Sequence, residues 1–208
     1  MRRLALLAYL GLLAPVPAAQ AADQARTVPA FTSIDNSGPV SIVVNVGQPQ
    51  SVVVSAPDQY LATLRTDVSG GVLHISLKDH AFHNVPEMKV TVNVPSLTKY
   101  ALSGAGGATL NHVTGDTFGI DCSGAGTVRA DGNVRSLALD VSGVGSIDAQ
   151  HLVAQTAEAS VSGVGSLKVY ASDSLVAVLS GVGSLTYYGH PRNVTKHSSG
   201  VGSVSAGD

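Results

Sequence analysis

A tetrapeptide, Ser-Gly-(Ala or Val)-Gly, recurs six times in the C-terminal half of this chain, beginning at Ser103, Ser123, Ser142, Ser162, Ser180 and Ser199. Successive copies are 20, 19, 20, 18 and 19 residues apart. A near-constant period of that size marks a solenoid, in which each repeat is one coil stacked on the last.

Aligning the copies on the serine shows what each coil contains. One residue before it stand Leu102, Cys122, Val141, Val161, Leu179 and Ser198, and three before it Tyr100, Ile120, Leu139, Ala159, Ala177 and Lys196. Five residues after it stand Ala108, Val128, Ile147, Leu167, Leu185 and Val204, and seven after it Leu110, Ala130, Ala149, Val169, Tyr187 and Ala206. Apolar residues at alternate positions on both sides of the tetrapeptide predict two strands per coil, each with one face buried. The expected coil is strand, glycine corner, strand and return loop. Six parallel rungs at about 4.8 Å make a rod about 29 Å long.

The corner glycines Gly104, Gly106, Gly124, Gly126, Gly143, Gly145, Gly163, Gly165, Gly181, Gly183, Gly200 and Gly202 are expected to supply torsions closed to other residues. Ala105, Ala125, Val144, Val164, Val182 and Val201 between them are expected to point inward. Lys196 and Ser198, polar in otherwise apolar columns, predict that the last coil caps the rod or frays.

From Val28 to about Ser96 the pattern is of shorter strands, Val40–Val46, Ser51–Ser55, Val72–Leu77 and Met88–Val94, separated by Gly- and Pro-containing turns. Ser37-Gly38 and Ser69-Gly70 read as degraded copies of the tetrapeptide. Residues 78–86 read as a polar loop. The fold class predicted is all-β, a right-handed parallel β-helix with an N-terminal antiparallel or mixed β region. The division is 1–21 signal peptide, 22–98 N-terminal β region packed on or continuous with the solenoid, and 99–208 β-helix.

The signal peptide rests on Arg2-Arg3, the apolar run Leu4–Leu13 and the small-x-small site Ala19-Gln20-Ala21. That run is too short to span a membrane, so no transmembrane segment is expected after cleavage. Without Arg2 and Arg3, ten basic residues face 14 acidic ones, a charge near −4 that gives nucleic acid no footprint. Cys122 is the only cysteine, which excludes an intrachain disulfide.

The Gly-x-Gly corners never extend to Gly-x-Gly-x-x-Gly between a strand and a helix, so they are not dinucleotide loops. The six serines, joined by Ser146, Ser166, Ser184 and Ser203 four residues on, read as a hydroxyl ladder capping turn amides. No base is singled out beside any of them, as a nucleophile would need. Two residues before the serine, Asp121 and Asp140 fall on consecutive coils, stacked roughly 5 Å apart by rung spacing. Such a pair suits a glycosidase-like acid and nucleophile, solvated acids, or a weak calcium site.

Six residues after the serine the column reads Thr109, Arg129, Asp148, Lys168, Thr186, Ser205, with charges that alternate and predict cross-rung ion pairs. Tyr170 and Tyr188, eight after it, read as a carbohydrate-binding platform or as rings packed under a return loop. His80-x-x-His83 supplies two of the ligands a metal would need, and Asn193-Val194-Thr195 matches a glycosylation sequon. No metal or cofactor is expected.

The repeated corners, the Val92-Asn93-Val94-Pro95-Ser96-Leu97 junction and Tyr188-Gly189-His190-Pro191 before the last repeat resemble the putative auto-transporter adhesin family, or head GIN domain, from about Phe31 to Val204. The resemblance implies an exported bacterial right-handed β-helix that binds a glycan or an envelope protein, with no catalytic residues to carry over. With no translocator after Asp208 and no cysteine at the cleavage site, the expectation is a protein free in the periplasm, secreted, or held at the cell surface by a partner. The alternatives are a polysaccharide lyase or hydrolase using Asp121 and Asp140, and an assembly module whose copies join through open coil edges.

Overall fold

The computed structural model describes residues 21–78 and 88–207. The predicted signal peptide, apart from Ala21, and His80 and His83 lie outside them. The chain is a β-solenoid of about five turns.

The first four of the six repeated corners each open a long strand that ends just before the next corner, whereas the fifth opens the shorter strand Val182–Tyr188, followed by Asn193–Ser198. The long strands are Ala105–Cys122, Ala125–Val141, Val144–Val161 and Val164–Leu179, and each pairs in parallel with its neighbours. The expected return loop is absent from these coils. The second bend is made inside the strand, where the register shifts between Ala130 and Gly132 and again across Ala149–Val153 and Ala154–Thr156. A bulge bends a strand without ending its ladder. The coil-length differences are absorbed there, so every corner stays in register with the next.

The N-terminal region adds two coils in shuffled order. Ser33–Asn36 and Ser41–Val46 flank Ser37-Gly38, which is a true corner: the amides of Ser37 and Gly38 both donate to the Ile75 carbonyl. This coil pairs on one side with Lys99–Leu102 and Ala105–Cys122. On the other side it pairs with Val72–Leu77 and Lys89–Val94, a coil formed later in the chain. Antiparallel strands Leu64–Ser69, Ser51–Pro57 and Ala21–Arg26 then cover that end of the rod. Ser69-Gly70-Gly71 is not a corner. Gly70 and Gly71 have φ of 57° and 77°, and they close a hairpin between Leu64–Ser69 and Val72–Leu77.

An amide ladder fixes the register of the shuffled rungs. Asn111 donates to Asn45, Asn45 to Asn93 and Asn93 to the Ser51 hydroxyl, each at 2.9 Å.

The alternate apolar columns fill the core as expected, from Leu102, Cys122, Val141, Val161 and Leu179 to Val128, Ile147, Leu167 and Leu185. At roughly 1.5–3 kcal/mol per buried aliphatic side chain, these columns supply most of the drive to fold. The corner residues do the reverse of the expectation: Val144, Val164, Val182 and Val201 are 63%, 51%, 50% and 72% exposed. Inward–outward alternation in fact carries straight through the corner, and it places this residue outward: Val144 stands three residues after buried Val141 and three before buried Ile147. It is the second glycine that faces the interior, since a methyl on Gly126 or Gly145 would stand 3.1 Å from the core atoms Leu102 Cδ2 or Cys122 Sγ. The residue before it is therefore turned to solvent. At the last coil Lys196 spreads over the Tyr187 ring, 4.7 Å from its centre, and so shields the core at that end.

Tyr100 is fully buried, and among the described residues its hydroxyl has no hydrogen-bond partner. The Asn36 amide beside it is committed to the Val40 carbonyl and the Gly38 amide. Burial pushes the Tyr100 hydroxyl above its usual range, and burial raises the Cys122 thiol too. Both groups stay neutral in the fold at pH values where the unfolded chain ionises them. Their stabilisation is complete below the unfolded values of 9.0 and 10.0 and is lost as pH rises beyond them. Tyr100→Phe is expected to raise stability by about 1 kcal/mol and to flatten the decline above pH 10, read by thermal melts across pH. A fall in melting temperature would show that the hydroxyl is satisfied.

Candidate functional site

The corners themselves are held by backbone. At each, the serine amide and the following glycine amide donate to the carbonyl just before the previous corner. Ser142 and Gly143, for example, donate to Cys122 at 3.0 and 3.1 Å, and Ser162 and Gly163 to Val141 at 2.9 and 3.0 Å. Of the hydroxyl ladder predicted from the sequence, Ser146 does meet the Thr127 hydroxyl of the coil before it at 3.1 Å, but the corners are joined by these backbone bonds. Of the six corner serines only Ser103 has a hydroxyl partner among the described residues, donating to Asp35 at 3.2 Å. The glycines are needed chiefly because adjacent coils touch. A side chain on Gly124, Gly143, Gly163, Gly181 or Gly200 would collide with the backbone of the coil before it. Left-handed torsions occur at the corners only at Gly106, Gly183 and Gly202.

Two flanks carry the remaining polar columns. On the first, Asp121 and Asp140 are register neighbours, as predicted, and Ser160 follows. Asp121 is ion-paired with Lys99 at 2.6 Å, which raises the Lys99 ammonium above its usual value. The aspartates share a shallow depression with Glu158 on a half-exposed sheet face. The lysine places a positive charge against one member of the pair.

On the second flank Thr109, Arg129, Asp148, Lys168, Thr186 and Ser205 form one continuous in-register column. Lys168 lies 3.9 Å from Asp148, and Arg129 neighbours Asp148 from the other side. Both pairings place charges of opposite sign on adjacent rungs, each worth at most about 1 kcal/mol at such exposure. Tyr170 and Tyr188 are register partners on this flank.

Residues not singled out by sequence complete the flank. Eight positions after the corner serines, the column reads Asn45, Asn111, Asp131, Gln150, Tyr170, Tyr188 and Gly207. Its first members are the amide ladder that satisfies itself. From Asp131 onward the column lines open troughs. One contains Arg129, Asp131, Asp148, Gln150 and His151; the next shares Gln150 and His151 and adds Tyr170, Tyr188 and His190. The signal was available by counting from Ser37, Ser103 and Ser123 onward. It was masked because residues 150–152 bulge out of register, which hides Gln150 and His151 from a periodicity argument.

A parallel solenoid that bonds its coils through glycine corners and presents charged and aromatic columns along one flank belongs to the class of extended surface-presenting rods. More specifically, the chain belongs to the family described as "Putative auto-transporter adhesin, head GIN domain", whose model matches residues 30–191. A putative adhesin from Bacteroides fragilis has the same fold at 26% identity and a TM-score of 0.74, over 91% of this chain and 98% of that one. Putative adhesins from Parabacteroides distasonis and Parabacteroides merdae share the fold at 18% and 15% identity, with TM-scores of 0.55 and 0.53. They cover 90% and 91% of this chain and 97% of each of theirs. No curated protein matches the chain. Among the described residues no helix is long and apolar enough to cross a membrane.

Proposed function

We propose that this protein is an exported, adhesin-like binding module of the bacterial envelope, periplasmic or at the cell surface, that holds a glycan or protein partner along its second flank. The observation that carries the reading is the unbroken column from Thr109 to Ser205 beside the paired Tyr170 and Tyr188. A rigid rod keeps such a column preorganised, so a partner bound along it orders few side chains. The membership of an adhesin family supports the same reading.

Capture of envelope fractions and glycan arrays by the purified protein tests it. The triple variant Arg129→Ala, Asp148→Ala, Lys168→Ala is expected to weaken capture at least roughly tenfold, because it removes several polar contacts at once. Asp121→Ala with Asp140→Ala on the other flank should leave capture unchanged. Absence of any captured ligand, or loss only in the second variant, overturns the proposal.

A further inference from the structure

The two tyrosines are held in place by glycines of the following coil. The Tyr170 ring lies over Gly189, where a methyl would come within 2.6 Å of Tyr170 Cε1. The Tyr188 ring lies over Gly207, where a methyl would come within 2.6 Å of Tyr188 Cζ. Any side chain at either glycine would displace the ring. Both rings are half-buried, so a partner would meet surfaces already fixed in place, and neither hydroxyl has a hydrogen-bond partner among the described residues.

The backbone beside them is bent to fit. Gly189 and His190 have φ of 91° and 52°, and His190 borders the trough as one of two described non-glycine residues at positive φ. Such conformations are sparse and concentrate where a structure shapes a ligand site. Across the trough, Gln150 and His151 meet each other at 2.9 Å, which leaves the rest of their hydrogen-bonding capacity to solvent.

The charges select the ligand. The trough continues through Gln150 and His151 to Arg129, Asp131 and Asp148. With Lys168 on Asp148, two cations offset two carboxylates. An anionic chain finds no surplus of positive charge, and a cationic one no surplus of negative. Two fixed aromatic faces on adjacent rungs, bordered by amide, imidazole and carboxylate groups, suit a ligand with apolar C–H faces and many hydroxyls. The trough crosses the coils from Asp131 to Gly207, roughly 20 Å by rung spacing, so the ligand is linear.

We propose that Tyr170 and Tyr188, with Gln150, His151 and His190, form a subsite for a neutral oligosaccharide lying along the rod axis. This rests on the flank reading above and adds to it the ligand class and the location. The test is calorimetric titration with cellohexaose, maltohexaose and chitohexaose, and with hexagalacturonate as the acidic comparison. Tyrosine emission provides a second readout, since the chain has no tryptophan. At least one neutral hexasaccharide is expected to bind in preference to hexagalacturonate, and Tyr188→Ala to weaken it roughly 3- to 10-fold.

Because Tyr188 also packs on Gly207, the double variant Gln150→Ala, His151→Ala serves as the second arm. It removes only surface polar groups, and it should weaken binding with an unchanged melting temperature. Neutral sugars that all fail to bind, or that bind both variants as tightly as the parent, overturn the subsite. If sugars fail while envelope capture still depends on Arg129, Asp148 and Lys168, the subsite is wrong and the binding flank stands. If both fail, the flank reading falls with it.

Discussion

Gly143→Val is expected to abolish the folded solenoid, while Ser142→Ala beside it melts at the parent temperature. The cause is contact between coils. Gly143 has ordinary torsions, but a side chain there would overlap the Gly124 carbonyl and stand 2.5 Å from the Ser123 carbonyl carbon. These atoms belong to backbone bonded into the next rung, so they cannot yield without breaking the bonds from Ser142 and Gly143 to Cys122. Overpacking against fixed backbone at a central coil costs more than about 4 kcal/mol, enough to unfold a domain of ordinary stability. Gly70→Ala is the contrast. Gly70 sits at φ 57° with nothing within 4 Å of the added methyl, so the cost is torsional only, about 1–2 kcal/mol. Circular dichroism melts of the three variants decide the matter. Equal melting temperatures for Gly143→Val and the parent would refute the stacking account.

Val161→Asp is expected to be nearly as severe, and Val164→Asp, three residues on, close to neutral. Val161 is fully buried in an inward column between Val141 and Leu179, where an unpaired carboxylate has no partner and no water. That costs at least about 3 kcal/mol. Val164 is half exposed at the corner tip, so its substitution should change stability by no more than about 0.5 kcal/mol. Urea titration of the two variants reads the difference directly. A Val164→Asp variant as unstable as Val161→Asp would place the corner residue back inside.

The same pair shows what a sequence of this kind discloses. The inward columns were legible because a strand alternates its faces, and Val141, Val161 and Leu179 obey that rule rung after rung. The expectation that Val144 and Val164 point inward ran against that same rule, since each stands an odd three residues after a buried valine and so falls on the opposite face. Ser37-Gly38 was visible as a worn corner even with Val40 in place of the second glycine. Ser69-Gly70 matched the same two letters, but Gly71 with its positive φ made it a hairpin. The stacking order of the first two coils was hidden, since pairing Ser33–Asn36 with both Val72–Leu77 and Lys99–Leu102 leaves no local mark. Tyr170, Tyr188 and the Arg129–Asp148–Lys168 column were readable from the repeat. Gln150, His151 and His190 were not, because they sit where the repeat slips.

That slippage has a consequence for how such rods diversify. The coils vary from 18 to 20 residues, yet the corners stay in register because the surplus is taken up at the second bend. The molecule thus has a regular spine and an editable margin. Residues can be gained or lost along the margin without moving a single corner hydrogen bond. The margin is also the edge that bears Gln150, His151 and the tyrosine rings. Recognition can therefore be rewritten, one insertion at a time, on a scaffold whose folding code is written along the opposite seam.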